Sequence, residues 1–280
     1  MCFWAKRELS WDPSFTILGR HGTGILDRRR RVNNVFGVSL DGAVFPLFRI
    51  RRGPPRRVLA AVGTGFLVTD GLLLTCWHCV ADPLEEDEAY AAAVWNGNAY
   101  LVKELSNVSQ TATGHDLALA SVDLHPMADL RLSSRGLASG EDVWTFGFPH
   151  TQVSAMEDGQ LSFRLEGRFL QGYVTRGFIH DQPGFRPTPT YELDMPAPEG
   201  LSGAPLFKVK TLDVVGVVYG TKETGQIVQM AEKDPETGER SPYVERIMAF
   251  GLAHQEFTLH GIQGTATGHR RLGEMARPAR

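Results

Sequence analysis

Short apolar runs divided by turn-forming residues constrain this chain most. Val35–Leu40, Ala43–Ile50, Gly65–Val68, Leu72–Thr75, Ala91–Trp95, Leu117–Val122, Val143–Phe148, Gly172–Thr175, Thr190–Leu193 and Val214–Tyr219 are rich in Val, Leu, Phe and Thr. Gly, Pro and Asp punctuate the stretches between them. Runs this short and this regularly spaced specify an all-β sandwich or barrel rather than βαβ units. No long amphipathic helical pattern develops. Short helical turns are expected just after His78 and around Pro242–Ala249.

The 280 residues accommodate one large domain or two small ones, with ample material for a core. A formal net charge of −3 directs the chain toward neither nucleic acid nor a membrane. Residues 1–34 read as an extension carrying Gly22-Thr23-Gly24, Asp27 and the run Arg28–Arg31. Arg51, Arg52, Arg56 and Arg57 bracket Gly53-Pro54-Pro55 and read as a basic loop facing solvent or a partner. Aromatic residues do not interleave with these arginines, so nucleic-acid binding is not expected. The polar stretch 223–241 reads as an exposed loop, and residues 261–280 as a mobile tail. The N-terminus has no sustained apolar segment of the secretory kind, and no run is long enough to span a bilayer. The expected location is the cytoplasm.

Three cysteines, Cys2, Cys76 and Cys79, are too few for a disulfide framework and fit a reducing compartment. Cys76 and Cys79 have the spacing of a zinc or redox pair, but no second ligand pair accompanies them. They read instead as small buried residues flanking His78.

Three strings carry the chemistry. Thr75-Cys76-Trp77-His78-Cys79 ends a hairpin formed by Gly63–Val68 and Leu72–Thr75, and places a histidine just past a strand end. His115-Asp116-Leu117-Ala118-Leu119 puts a carboxylate at the entry to an apolar run, where it needs a hydrogen-bonding partner. An imidazole N–H would serve; a plain turn aspartate is the simpler reading of that string alone. His115 is expected to face solvent. Gly200-Leu201-Ser202-Gly203-Ala204-Pro205 surrounds a serine with small residues, so that backbone N–H groups can converge. A serine hydroxyl needs a base, and the base a partner that fixes its tautomer. The segment is not the Gly-x-Ser-x-Gly elbow, because Ala204 occupies its last position, and the chain order also differs.

The order His78, Asp116, Ser202 is that of the chymotrypsin-like proteases. With Gly63-Thr64-Gly65-Phe66, Val143–Pro149, Asp194–Phe207 and Val214–Val218, the chain resembles a trypsin-like serine peptidase over roughly residues 60–222. The nearest branch is the bacterial HtrA/Deg-like one, and a form without a PDZ domain is expected. The resemblance implies two packed six-stranded β-barrels with short helical segments. They would form a protease domain over 35–260, with barrels at about 35–130 and about 140–260. It further implies His78 as base, Asp116 as its partner, Ser202 as nucleophile, and an oxyanion hole from the N–H groups of Gly200 and Ser202. The primary pocket would be lined by Pro196, Glu199, Val218, Tyr219 and Gly220, with Asp194 and Glu199 the acids near it. An uncharged P1 residue is expected.

Two departures matter. Leu201 stands where the digestive and clotting branch has an Asp that pairs with a new N-terminus, so activation by that route is not expected. The cysteine usually paired with the one after the base is missing, since Cys79 has no cysteine partner near Gly63. The expected function is a serine endopeptidase of restricted specificity acting on protein or peptide substrates, with partner activation possible in principle. The alternatives are a latent protease-fold module that binds a partner protein, and a hydrolase of small esters. No cofactor or metal is expected.

Overall fold

The apolar runs become strands that close into a ring twice. The computed structural model describes residues 16–17, 34–35, 38–40, 42–53, 57–95, 100–125, 130–155, 161–181, 183–229, 237 and 244–275. In the first half lie β1 (Val44–Arg51), β2 (Arg57–Thr69), β3 (Leu72–Thr75), β4 (Glu88–Trp95), β5 (Tyr100–Gln110) and β6 (Ala118–Val122). They pair antiparallel in the order β5-β4-β1-β2-β3-β6, and β5 pairs with β6 to complete the barrel. In the second half lie β7 (Asp142–Gly147), β8 (Arg168–His180), β9 (Thr188–Leu193), β10 (Pro205–Lys208), β11 (Asp213–Gln229) and β12 (Val244–Gln255). Their order is β11-β10-β7-β8-β9-β12, closed by β11 on β12. Subtracting six from each label turns the second order into the first. This is the all-β double barrel expected from the sequence, and a two-residue strand is added beside each closed ring, Thr16–Ile17 on β5 and Arg131–Leu132 on β11.

One apolar cluster crosses from barrel to barrel. It joins Phe45, Phe66, Leu73 and Leu119 of the first to Trp144, Phe207 and Val217 of the second. Trp144 is fully buried, stacks on Phe207 at 4.1 Å and donates its indole N–H to the Lys208 carbonyl. An aromatic with its polar tip satisfied can seal such a junction without an unpaired donor.

Several local expectations are corrected. The segment around Pro242–Ala249, read as helical, is strand from Val244, because its pairing with β11 satisfies the backbone along its whole length. β11 likewise carries strand structure through residue 229, into the stretch read as a loop; most of 230–241 lies outside the described residues. Tyr100–Gln110 and Pro205–Lys208 were not read as strands, since polar residues interrupt the first and a proline opens the second. Most of 1–34 and of the Gly53–Arg57 basic loop lies outside the described residues.

Of the stretch read as a mobile tail, residues 261–275 are packed against the barrels, and 276–280 lie outside the described residues. After β12 come helix α1 (Glu256–His260), a 3₁₀ turn at Thr265–Thr267 and helix α2 (Leu272–Met275). Gln263 accepts a hydrogen bond from Ala112 N–H, Thr265 N–H donates to Ser109 Oγ, and Leu272 is fully buried in the shared core. The segment thus returns from the second barrel to strap the first. Composition alone hid this, because two well-placed apolar residues, Ile262 and Leu272, anchor an otherwise polar stretch. Leu272→Ala is expected to cost about 2–5 kcal/mol in denaturant unfolding, as for a core leucine. A change within about 0.5 kcal/mol would instead mark an exposed position.

Candidate active site

Strand pairing delivers the histidine to the aspartate. β3 runs antiparallel to β6 with Thr75 opposite Ala118, so the residues just after β3 lie beside those just before β6. His78 occupies a 3₁₀ turn, Trp77–Cys79, immediately past β3. Asp116 is 1% exposed, and its carboxylate takes two bonds from the same residue. One oxygen accepts the His78 backbone N–H at 2.9 Å, and the other meets the ring Nδ1 at 2.6 Å. An acceptor-only carboxylate makes Nδ1 the protonated nitrogen, which leaves the Nε2 lone pair as the basic position. His115, expected in solvent, is buried and meets Thr188 Oγ1 through Nδ1 at 2.8 Å. The second barrel covers it, a contact that the local sequence does not encode.

Behind Asp116 lie Cys76 and His254, and all three side chains are buried. One ligand atom of each falls within 4.8 Å of the others, a donor set that zinc tolerates. Asp116 is already engaged by His78, and the Cys76 thiol donates to the Val218 carbonyl. Cys79 is not in this group, so the two cysteines do not converge as a ligand pair. The Cys79 sulfur instead faces Gly63, where a Cβ would lie 2.6 Å away.

Ser202 sits in a turn built by two glycines in the left-handed region, Gly200 (φ +89°) and Gly203 (φ +87°). A Cβ on Gly203 would lie 2.0 Å from the Thr64 carbonyl oxygen, so only glycine fits there. Leu201, just before the serine, is buried in the core of the second barrel. Among the described residues, the N–H groups of Gly200 and Ser202 donate to no protein acceptor. The Glu199 carbonyl accepts the His150 N–H. In a trans peptide the N–H opposes the carbonyl, so the Gly200 N–H points away from His150. The Ser202 hydroxyl donates to the Tyr219 carbonyl at 3.2 Å rather than to His78. The structure therefore brings His78 and Asp116 into direct contact and leaves the serine turned aside.

The expected pocket residues differ in exposure and partners. Val218 is fully buried with its backbone bonded to Gly203 and Ala204. Tyr219 is buried, its hydroxyl bonded to His180 and Thr190. Pro196 is exposed and Gly220 half-buried. Asp194 accepts the Tyr173 N–H. The two segments that flank the expected pocket are joined by Thr221, whose Oγ1 donates to the Ala197 carbonyl at 2.7 Å and accepts its N–H at 2.9 Å. Glu199 lines a different cavity, of about 290 Å³, with Ala61, Val62, Gly63, Phe148, His150 and Gly200 among its walls. Sequence reasoning missed the Thr221–Ala197 bond, His150 and this cavity, because each depends on contacts between remote segments.

His254 backs the site with its Nε2 3.2 Å from the Asp116 carbonyl and its Nδ1 unpartnered among the described residues. Burial pushes its imidazole down to about 4, against the favourable charge of Asp116. The unfolded chain then binds a proton at His254 that the folded chain refuses. This contribution to stability is present above about 6.5 and is lost as pH falls toward 4. Unfolding measured across that window is expected to lose stability more steeply for wild type than for His254→Gln; parallel curves would contradict a neutral buried His254.

A family profile described as a trypsin-like peptidase domain matches residues 63–217. Among solved structures, the chain is similar to the active form of the Rv3671c protease from M. tuberculosis, at 17% identity and TM-score 0.50, over 99% of this chain and 97% of that one. It is also similar to the MamO protease domain from Magnetospirillum magneticum, at 21% identity and TM-score 0.46, over 78% and 94% of the chains. The HtrA-type protease AlgW with decapeptide gives 16% identity and TM-score 0.48, over 78% and 62%. No curated protein sequence is a significant match. The profile spans more than half of the chain, three of its segments meet at the junction of two barrels of like topology, and the chain belongs to the trypsin-like peptidase family.

Proposed function

We propose that the chain is a serine endopeptidase that cleaves protein substrates through an acyl-enzyme, with Ser202 as nucleophile, His78 as base and Asp116 as the group that orients it. The observation that carries this reading is the two-point contact of buried Asp116 with His78, beside a turn that presents two unengaged N–H groups. Rotation about χ1 brings the Ser202 hydroxyl from the Tyr219 carbonyl to His78 Nε2. The proton passes to Nε2 as Oγ attacks the scissile carbonyl, and Asp116 stabilises the imidazolium. The N–H groups of Gly200 and Ser202 receive the oxyanion. His78 then protonates the leaving amine, the C–N bond breaks, and water releases the acyl group by the same route in reverse. The Thr221–Ala197 bridge joins the two segments expected to line the pocket through neutral groups, which supports an uncharged P1 residue. Two free thiols near the site, Cys76 and Cys79, fit a reducing compartment such as the cytoplasm.

A second reading, a latent module that needs a partner protein, is favoured by one observation: the resting hydroxyl points at Tyr219. The resting charge of His78 bears on both readings. Burial disfavours the imidazolium, but the bond to Asp116, with a smaller contribution from Cys79, outweighs it and pushes His78 up to about 10. A protonated imidazole cannot accept the serine proton, so reactivity rises with pH.

Fluorophosphonate labelling, read by intact mass over a pH series, separates the readings. One adduct per chain is expected on wild type, with none on Ser202→Ala or His78→Ala, and a rate that climbs through a midpoint above 6.5. Folded wild type that stays unlabelled at every pH supports the latent module. Labelling that survives in Ser202→Ala refutes the assigned nucleophile.

A further inference from the structure

We infer that Thr64 is the positioning residue of the oxyanion loop, and that its hydroxyl supplies the order that an aspartate–N-terminus ion pair supplies in relatives with an acid before the serine. The inference rests on the reading of Ser202 as nucleophile. Thr64 belongs to the first barrel, in β2, and is fully buried. Every polar group it owns is used. Its N–H donates to the Ser202 carbonyl at 2.8 Å. Its Oγ1 donates to the Gly200 carbonyl at 2.8 Å and accepts the Phe148 N–H at 3.1 Å. Its own carbonyl accepts the Thr75 hydroxyl at 2.7 Å. One residue thus secures the carbonyls on both sides of Leu201 and reaches a third point of the second barrel.

The consequence for the oxyanion hole is geometric. The Glu199 carbonyl is secured by His150 and the Gly200 carbonyl by Thr64, so the peptide planes on both sides of the Gly200 Cα are fixed. Gly200 lies at φ +89°, and without those bonds glycine has the freedom to turn its N–H away. The site demands a group that donates to one partner and accepts from another at a single atom. A hydroxyl does both; a methyl does neither. Thr64→Val keeps the shape and the backbone bonds but frees the Gly200 carbonyl and strands the Phe148 N–H. Thr64→Ser restores both bonds without the methyl. Leu201 anchors the same loop by burial and by two bonds inside the second barrel, its N–H to the Pro198 carbonyl at 3.0 Å and its carbonyl from the Ala204 N–H at 2.9 Å, so the Thr64 hydroxyl is what ties the Gly200 carbonyl to the first barrel.

The test compares wild type, Thr64→Ser, Thr64→Val and Thr64→Ala by the second-order rate of fluorophosphonate inactivation across pH. Loss of the hydroxyl is expected to lower the rate by about 100-fold, the scale of a lost oxyanion donor, with Thr64→Ser recovering most of it. The pH midpoint set by His78 is expected to stay where wild type has it. A rate for Thr64→Val close to wild type, a Thr64→Ser as impaired as Thr64→Val, or a displaced midpoint overturns the inference. Thr64→Ala gives the same reading if the valine variant does not fold. Amide hydrogen exchange over Gly200–Gly203 judges the inference even if wild type is unreactive, in which case the endopeptidase reading fails by itself. Exchange there is expected to quicken by about tenfold in the hydroxyl-free variants while distant barrel amides keep their rates. Unchanged exchange overturns the positioning role.

Discussion

The hydrogen bond from Thr64 N–H to the Ser202 carbonyl ties the proposed nucleophile of one barrel to the frame of the other. Each barrel satisfies its own backbone by closure, so neither needs the other for its ladder bonds. The site exists only because polar contacts cross the seam. Cys76 reaches the Val218 carbonyl, and His254 reaches the carbonyl of Asp116. These bonds lie inside an apolar cluster that both barrels share, where a missing partner is costly and a satisfied one is rigid.

Burial also explains the division of labour among the ionisable groups. Asp116 is inside the junction and keeps its charge tolerable by accepting two bonds from His78. His78 is partly open to the cleft, with 40% of its side chain exposed, so its other ring nitrogen can meet a substrate. His254 lies behind the same carboxylate and His115 precedes it in the chain, but burial pushes both toward the neutral form. One histidine of three is thereby selected to carry charge. The loop that holds Ser202 follows a different rule. With Leu201 in place of an acid, its order comes from an apolar anchor on one side and from a hydroxyl of the opposite barrel on the other.

Much of this was legible in the sequence where a local pattern sufficed. Leu72–Thr75 was read with its observed bounds, and punctuation between short runs gave the all-β class. His78, Asp116 and Ser202 stood out because each string has a local chemical setting. The illegible parts are those decided by remote contact. The segment around Pro242–Ala249 looked helical, yet pairing with β11 makes it strand from Val244. Leu272 sat in a polar tail, yet it fills the core. Thr64 carries no signal of its own within Gly63-Thr64-Gly65-Phe66, because its role depends on Gly200, 136 positions away. The same holds for Thr221, whose partner Ala197 lies across the expected pocket.

The most direct measurement is a crystal structure of the fluorophosphonate adduct. The expected result is phosphorus bonded to Ser202 Oγ, with its oxygen about 2.7–3.1 Å from the N–H groups of Gly200 and Ser202. Thr64 should still hold the Gly200 carbonyl, and His78 should still contact Asp116. An adduct on another residue, or a phosphoryl oxygen facing solvent with the Gly200 peptide turned over, would contradict the account.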